Sequence, residues 1–524
     1  MTYPGTPLAD VVRMSLRPKM EVSFYFLSSS CLFLFCILAS ALLLLFKKPS
    51  SPTILQSYPL IGTLPHFIKN CNRVLEWSTE LLAASPTATV TVAPMVFTAN
   101  PSNVEHVLKT NFDNYPKGGS IVSALHDFLG RGIFISNGEQ WKVQRKTASF
   151  EFNTKSLRAF VLHAVRREAV GRLVPLLRRA SRSGEVVDLQ DVFERFAFDN
   201  ICSLVFDQDP SCLLGGNEEG ERFFHAFDEA AHLCIDRAKQ ALPLVWKLKK
   251  WLDVGSERRL RESMSTVHEF VDMFIYLKRR RGAGDGGDDD LLSRFVKNGE
   301  QSDEFLRDFL ISVVLAGRDT TPAAITWFFW ELSSRPDVVE AIREELRSIR
   351  SKQGEKRTDE VFALEELRGM HYLHAAISES LRLHPAVPLL PRVCERDDKL
   401  PDGTKVCKGW TVMYNSYAMG RDEGIWGEDC KEFRPERWLE EGEFQAVSAF
   451  RYPVFHAGPR MCLGKDMAVI QMKALTAIIL EGFEMELVEE RGKHQLSVSM
   501  RMEGGLPMRF RERQAGTKAF NLIK

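Results

Sequence analysis

Residues 302–335 constrain the fold most. Ser302 is placed to cap a helix that runs to about Arg335, where Pro336 ends it. Phe305, Phe309, Val313, Ala316, Thr320, Ala323 and Trp327 recur at helical spacing. A helix of ~30 residues spans ~45 Å, enough to cross a whole domain. The body must therefore be built around one rod. The middle of that rod reads "AGRDTTP", residues 316–322. Asp and Thr are weak helix formers, and an interior proline costs ~3 kcal/mol. Pro322 has no N–H for the Arg318 carbonyl, so a local opening is predicted over Arg318–Pro322. Ala316 and Gly317 leave space for something flat to approach the backbone. Two readings follow. One is a kinked core helix whose polar residues bond internally. The other makes Asp319 and Thr320 an acid and an alcohol placed beside a cofactor to deliver protons.

Charge narrows the class. The chain carries 69 basic and 69 acidic residues, so nothing supports nucleic-acid binding. Ten cysteines in 524 residues are sparse, and none forms a CxxC pair. A structural zinc site or a disulfide scaffold is not indicated, and reduced thiols at a cytosolic face are expected. Length alone suggests about three domains of ~150 residues.

Residues 1–48 differ from the rest. Val22–Phe46 carries no charge and is long enough to cross a hydrocarbon core of ~30 Å. Lys47 and Lys48 stop it. Ala39-Ser40-Ala41 resembles a cleavage site, but four leucines and a phenylalanine follow, so a retained transmembrane helix is expected. Residues 49–524 form the body. Its first part, 49–66, contains Pro49, Pro52, Pro59 and Pro65 and is expected to be a stiff, non-helical hinge. Residues 87–101 read as a hairpin, and most of 102–382 as helix. Residues 278–290, "KRRRGAGDGGDDD", read as a surface loop. Residues 383–455 read as turns and short strands, with helix returning after Cys462. The body is thus mainly α with small β-sheets and no sharp internal boundary.

Three further constellations carry chemistry. Glu379 and Arg382 lie three apart on one helical face. Arg437, in a proline-containing loop, can return to Glu379 and complete a buried clamp, whose expected role is structural. Trp141 and Arg145, spaced i, i+4, are two donors that suit a ligand carboxylate or simply an amphipathic surface helix. The segment "FHAGPRMCLG", residues 455–464, surrounds Cys462 in an unusual way. Gly458 permits a tight turn, and Arg460 offers a cation to an acidic group. Cys462 precedes a helix, whose N-terminus favours a thiolate. Gly464 lets that helix approach a flat ring, and Phe455 is placed to screen the sulfur.

Together these segments resemble the cytochromes P-450. "FHAGPRMCLG" is similar to their haem-ligand signature and "AGRDTT" to their oxygen-activation motif. Glu379, Arg382 and Arg437 match their structural triad, and Trp141 and Arg145 their propionate-binding helix. The resemblance covers about residues 55–512 and implies a single-domain cytochrome P-450 fold for the soluble body. It implies Cys462 as the axial thiolate of haem b (iron protoporphyrin IX), whose electron donation helps O–O cleavage. It implies Asp319 and Thr320 as proton relay to dioxygen. Trp141, Arg145, Arg392 and Arg460 are implied to hold the haem propionates. Electrons are implied to come from NADPH through an NADPH–cytochrome P-450 reductase, with Lys142, Lys146 and Arg451 facing it. The apolar span then looks like a microsomal anchor in the endoplasmic reticulum membrane, with the catalytic domain in the cytosol.

Closer similarity narrows the branch. "ANPSNVEHVLKTNFDNYPKG" (99–118), "LGRGIF" (129–134) and "YAMGRDEGIWGEDCKEFRPERW" resemble plant fatty-acid hydroxylases. That branch implies omega or near-omega hydroxylation of fatty acids. The alternative is omega (12-) hydroxylation of jasmonoyl-isoleucine in hormone catabolism. Both substrates are apolar tails ending in a carboxylate. Candidate pocket segments are Ile121–Ile133, Ala323–Trp327 and Val387–Leu390. Leu389 and Leu390 depart from the branch towards a less polar wall. A haem-thiolate isomerase or a haem-binding sensor are the rivals of another class. An intact Asp319-Thr320 pair argues against the isomerase.

Overall fold

The computed structural model describes residues 63–152, 166–216, 218–240, 243–281, 291–297, 301–352, 361–489 and 492–513. The expected anchor Val22–Phe46 lies outside them. Among the described residues no helix is long and apolar enough to cross a membrane. The chain divides into two compact units, Met1–Asn72 and Arg73–Lys524. In the first, a short helix spans Leu64–Asn70 with Pro65 in its first turn. The non-helical expectation for 49–66 is therefore wrong at its end. In a first turn the missing N–H forfeits no helical bond, so proline is tolerated there.

The second unit is mainly helical with small sheets. After a helix over Val74–Ala83 comes the expected hairpin, β1 (Thr89–Val92) and β2 (Met95–Thr98), with Thr89 opposite Thr98. Then come α1 (Gly119–Leu129), α2 (Gly138–Phe152), α3 (Leu189–Phe206), α4 (Glu218–Lys239) and α5 (Ser256–Arg281). The rod is α6 (Asp303–Ser333), followed by α7 (His371–Leu383). After these come β3 (Leu389–Val393), β4 (Thr411–Asn415), α8 (Lys465–Gly482) and β5 (Met500–Met502). β4 runs parallel to β2 and antiparallel to β3, which gives a four-stranded sheet of order β1-β2-β4-β3. The basic run Lys278–Arg281 ends α5, so the break expected over 278–290 begins no earlier than residue 282.

α6 is the rod the sequence demands. The Ser302 hydroxyl accepts from the Phe305 N–H at 3.2 Å, and Asp303 and Glu304 face the positive end of the dipole. The helix is continuous through Pro322, so the opening predicted over Arg318–Pro322 is absent. Proline removes only one backbone bond. The Thr320 hydroxyl adds a bond to the Ala316 carbonyl at 2.7 Å, and α3 packs along the helix. A Cβ on Gly317 would come within 2.7 Å of Ile201 Cδ1 on α3. Gly317 therefore makes room for Ile201, not for a flat ligand as expected. Trp327 is also core: its Nε1 donates to the Met500 carbonyl at 2.8 Å, and its ring stacks on His384 at 4.5 Å.

Candidate active site

The segment around Cys462 is held by backbone first. Residues Gly458–Arg460 form one short 3-10 turn. Gly458 has φ +67°, and a Cβ there would overlap the Leu108 carbonyl oxygen. Both facts require glycine. The Cys462 N–H then donates to the Phe455 carbonyl at 2.8 Å. Gly464 caps α8, and its N–H points at the Cys462 sulfur. The thiol is accessible at its edge yet crowded by its surroundings. Crowding pushes its pKa up, while the Gly464 N–H, Arg145 and Lys465 pull the other way. Burial outweighs these pulls, so the thiol stands above its ordinary pKa, although the helix start and the nearby cations act in the direction the sequence predicts. Lys465 lies 5.9 Å over the Phe455 ring.

Four cations gather nearby. Arg460 lies 4.3 Å over the Trp141 ring and donates to the Ser136 carbonyl and Asn137 Oδ1 at 2.8 and 2.9 Å. Arg392 is buried in β3, and its Nη1 meets only the Pro391 carbonyl, at 3.0 Å. Lys117 and Arg145 complete the group. Burial lowers the pKa of all four, and Arg392 adds to that for Lys117 and Arg460. Arg460 falls to about 9 through burial, Arg392 and Arg145. His456 is driven to about 3 by burial and by Lys117, Arg392 and Arg145. Among the described residues no carboxylate pairs with any of the four. The Nε atoms of Arg392 and Arg460 are buried without a hydrogen-bond partner. Uncompensated cations, Arg392 buried and the other three half-buried, with two orphaned donors, fit a ligand that brings its own carboxylates. Lys117 escaped the sequence reading because no motif marks it. Its closeness to Asn137 is set by the fold, through the Asn137 Nδ2 bond to its carbonyl at 2.7 Å.

Asp319 and Thr320 stand in mid-α6. Thr320 bonds within the helix, as the core reading expected. Asp319 does so too: its carboxylate pairs with the neighbouring Arg318 of the same helix at 2.5 Å. The triad closes as expected. Arg382 reaches both Glu379 oxygens at 2.7 and 2.8 Å, and Arg437 Nε donates at 2.8 Å. Trp438 Nε1 at 2.9 Å and the Arg434 N–H at 2.8 Å also donate to this carboxylate. Neither was foreseen. Arg382 further binds the carbonyls of Gly420, Cys430 and Glu432.

A thiol turned to a helix start, and a cradle of cations without counter-charges, are what a thiolate-bound haem with two propionates requires. That chemistry defines the haem-thiolate class. A family model described as Cytochrome P450 matches residues 52–505, and the chain belongs to this family. It is 53% identical to "Cytochrome P450 CYP94D108" of Paris polyphylla, over 89% of this chain and 93% of that one. It is 42% identical to "Cytochrome P450 94A1" of Vicia sativa, over 88% and 91%. It is 44% identical to "Cytochrome P450 94B1" of Arabidopsis thaliana, over 89% and 92%. The relatives place it with plant monooxygenases of the 94 type. Haem iron, O2, NADPH-derived electrons from a reductase and a hydrophobic substrate come with the family.

Proposed function

We propose that this monooxygenase hydroxylates the terminal or near-terminal carbon of fatty acids. The observation that carries the reading is a half-buried apolar wall. α1 touches both α6 and β3. Val122 and Leu125 on α1, Ile133 just beyond it and Leu389 on β3 are half-buried against the core. Such a wall suits the alkyl chain of a fatty acid. Cys462 would hold the haem iron through its sulfur. Arg460, Arg392, Arg145 and Trp141 would hold the propionates, joined by Lys117. The haem, when bound, supplies the oxidising chemistry. Asp319 and Thr320 hold and pass protons at the carboxylate and hydroxyl. Glu379, Arg382 and Arg437 lock α7 to the segment leading to Cys462.

Microsomes holding this chain and a plant NADPH reductase provide the test. Fatty acids of medium and long chain and jasmonoyl-isoleucine are fed in parallel, with products identified by mass spectrometry. Terminally hydroxylated fatty acids are expected. A far higher kcat/KM for the conjugate would replace the reading with hormone inactivation. Cys462→Ala is expected to abolish the thiolate-type Soret shift of the reduced carbon monoxide complex.

Membrane residence in the endoplasmic reticulum belongs to the same proposal. The helix Pro243–Leu252 supports it. Leu244, Leu248 and Trp251 are exposed there, Trp251 at 81%, beside Lys247 and Lys249. An apolar face with basic neighbours suits a lipid surface. Lys142 and Lys146, exposed on α2, and the exposed Arg451 are proposed to meet the reductase. Charge reversal at these positions should weaken reductase-supported turnover and spare peroxide-supported turnover.

A further inference from the structure

Asp319 sits at the end of a chain of charges that spans four elements. Arg318, 2% exposed, is pressed against Phe224 at 4.8 Å and Phe227 at 5.8 Å. Its Nη1 holds Asp319 at 2.5 Å, and its Nη2 holds Asp228 of α4 at 2.7 Å. The same Asp228 oxygen accepts from Arg501 of β5 at 3.0 Å. Arg501 in turn holds Glu194 of α3 at 2.5 Å. The order is Asp319–Arg318–Asp228–Arg501–Glu194. Two guanidiniums serve three carboxyl groups. His232 of α4 also faces Asp228, at 3.5 Å. The Asp228 side chain is 31% exposed and that of Asp319 only 8%, so the chain meets solvent at its middle member and both of its ends are buried.

We propose that Glu194, Asp228 and Arg501 are positioning residues that divide the hold of Arg318 between Asp228 and Asp319, and so set how readily the Asp319 carboxylate turns towards Thr320. The inference rests on the proton-transfer roles proposed for Asp319 and Thr320. An acid locked to a buried guanidinium cannot carry a proton elsewhere. Because the Phe224 and Phe227 rings fix Arg318, the lock weakens only when Asp228 draws the charge the other way. Asp228 can do so when Arg501 is satisfied by Glu194. It does so less when Glu194 is neutral and Arg501 turns wholly to Asp228. Burial pushes Glu194 up to about 7, against the opposing pull of Arg501 and Arg318. Arg318 and Arg501 outweigh burial and hold Asp228 below the usual carboxylate range. Glu194 is therefore the member that changes charge near neutrality. Its ionisation loosens Asp319, so coupling should rise with pH through about 7.

The experiment uses the full membrane-bound, haem-loaded enzyme with its reductase. Product formed per NADPH consumed, the solvent deuterium isotope effect and the carboxyl infrared titration are measured for Asp228→Asn, Glu194→Gln and Arg501→Lys. Asp228→Asn should keep the haem spectrum and substrate binding, lower product per NADPH about tenfold and raise the isotope effect. Glu194→Gln should show low coupling at every pH and lose a carboxyl band titrating near 7. Arg501→Lys, which keeps the charge, should retain the wild-type pH dependence. Wild-type coupling and pH profile in both haem-loaded Asp228→Asn and Glu194→Gln would overturn the inference. If Asp228→Asn fails to take up haem, the pH profile of Glu194→Gln decides. Asp319→Asn and Thr320→Ala separate the two levels. Full coupling in these variants sinks the roles of the acid and the alcohol. Uncoupling there, with Asp228→Asn and Glu194→Gln unchanged, sinks the positioning inference alone.

Discussion

Two arginine-rich clusters in one unit follow opposite rules. Around Glu379, one carboxylate receives two guanidiniums, an indole N–H and a backbone N–H. Arg382 spends its remaining donors on three carbonyls. Around Arg460, four cations share no carboxylate among the described residues, and two buried Nε atoms have no partner there. The first cluster is complete without help. The second is electrostatically unfinished, and its members depress one another's pKa values. A closed network holds a fold, whereas an open one holds a ligand.

The largest effect should come from breaking the closed cluster. Glu379→Gln leaves two buried guanidiniums without a charge partner, at a cost of ~3–5 kcal/mol. Little folded, haem-loaded protein should be recovered, and a lowered midpoint of thermal unfolding should show it in the rest. Wild-type recovery and midpoint would deny the clamp its structural role.

The open cluster should respond differently. Arg392→Leu removes one of four like charges and a buried orphan donor. Without haem, the variant should unfold no earlier than wild type, because repulsion falls. Haem affinity should drop by ~1.5–3 kcal/mol, the scale of a hydrogen bond to a charged group. Arg437→Leu should instead lower stability with or without haem. If both variants lose apo stability alike, the distinction between the clusters fails. Gly458→Ala comes next. It strains a left-handed backbone and drives a Cβ into the Leu108 carbonyl, at a cost of ~1–3 kcal/mol. The loop before the sulfur should shift, giving a carbon monoxide spectrum of mixed thiolate and non-thiolate types.

Sequence and structure agree best where the chemistry is local. α6 was legible from cap, period and terminating proline because helix signals lie within a turn or two. Glu379 and Arg382 were legible for the same reason, three residues apart, whereas Arg437, 58 residues beyond Glu379, was marked by the resemblance to the family's triad. Lys117 was not legible, because its neighbours Arg392 and Arg460 lie hundreds of residues away. Asp228 was missed likewise: an aspartate on an amphipathic helix carries no local mark of its bond to Arg318. Gly317 was misread because glycine records a close approach without naming what approaches. The continuity of α6 at Pro322 reflects tertiary packing by α3, which outweighs a local preference.

A third charged group shows how the two rules meet. Asp398 is an anion without a cation clamp, served by His106 at 2.8 Å, Tyr115 at 2.7 Å and Asn111 at 2.9 Å. These donors fix the turn His106–Thr110, whose Leu108 carbonyl backs Gly458. Burial raises the Asp398 pKa, but the hydrogen bonds outweigh it and bring the group from 3.8 to about 2. A depressed carboxylate contributes stability above its ordinary pKa and loses it as protons bind. The contribution is therefore complete above pH about 4 and fades as pH falls towards about 2. Asp398→Asn removes the titrating group, so the acid limb of its unfolding curve should be shallower than that of wild type. At neutral pH the variant should be slightly less stable, since an amide accepts the three donors less strongly than a carboxylate. Parallel acid-unfolding curves would place the pH sensitivity elsewhere. A shallower limb, with a small non-thiolate fraction in the carbon monoxide spectrum, would tie the satisfied anion to the cysteine loop it supports.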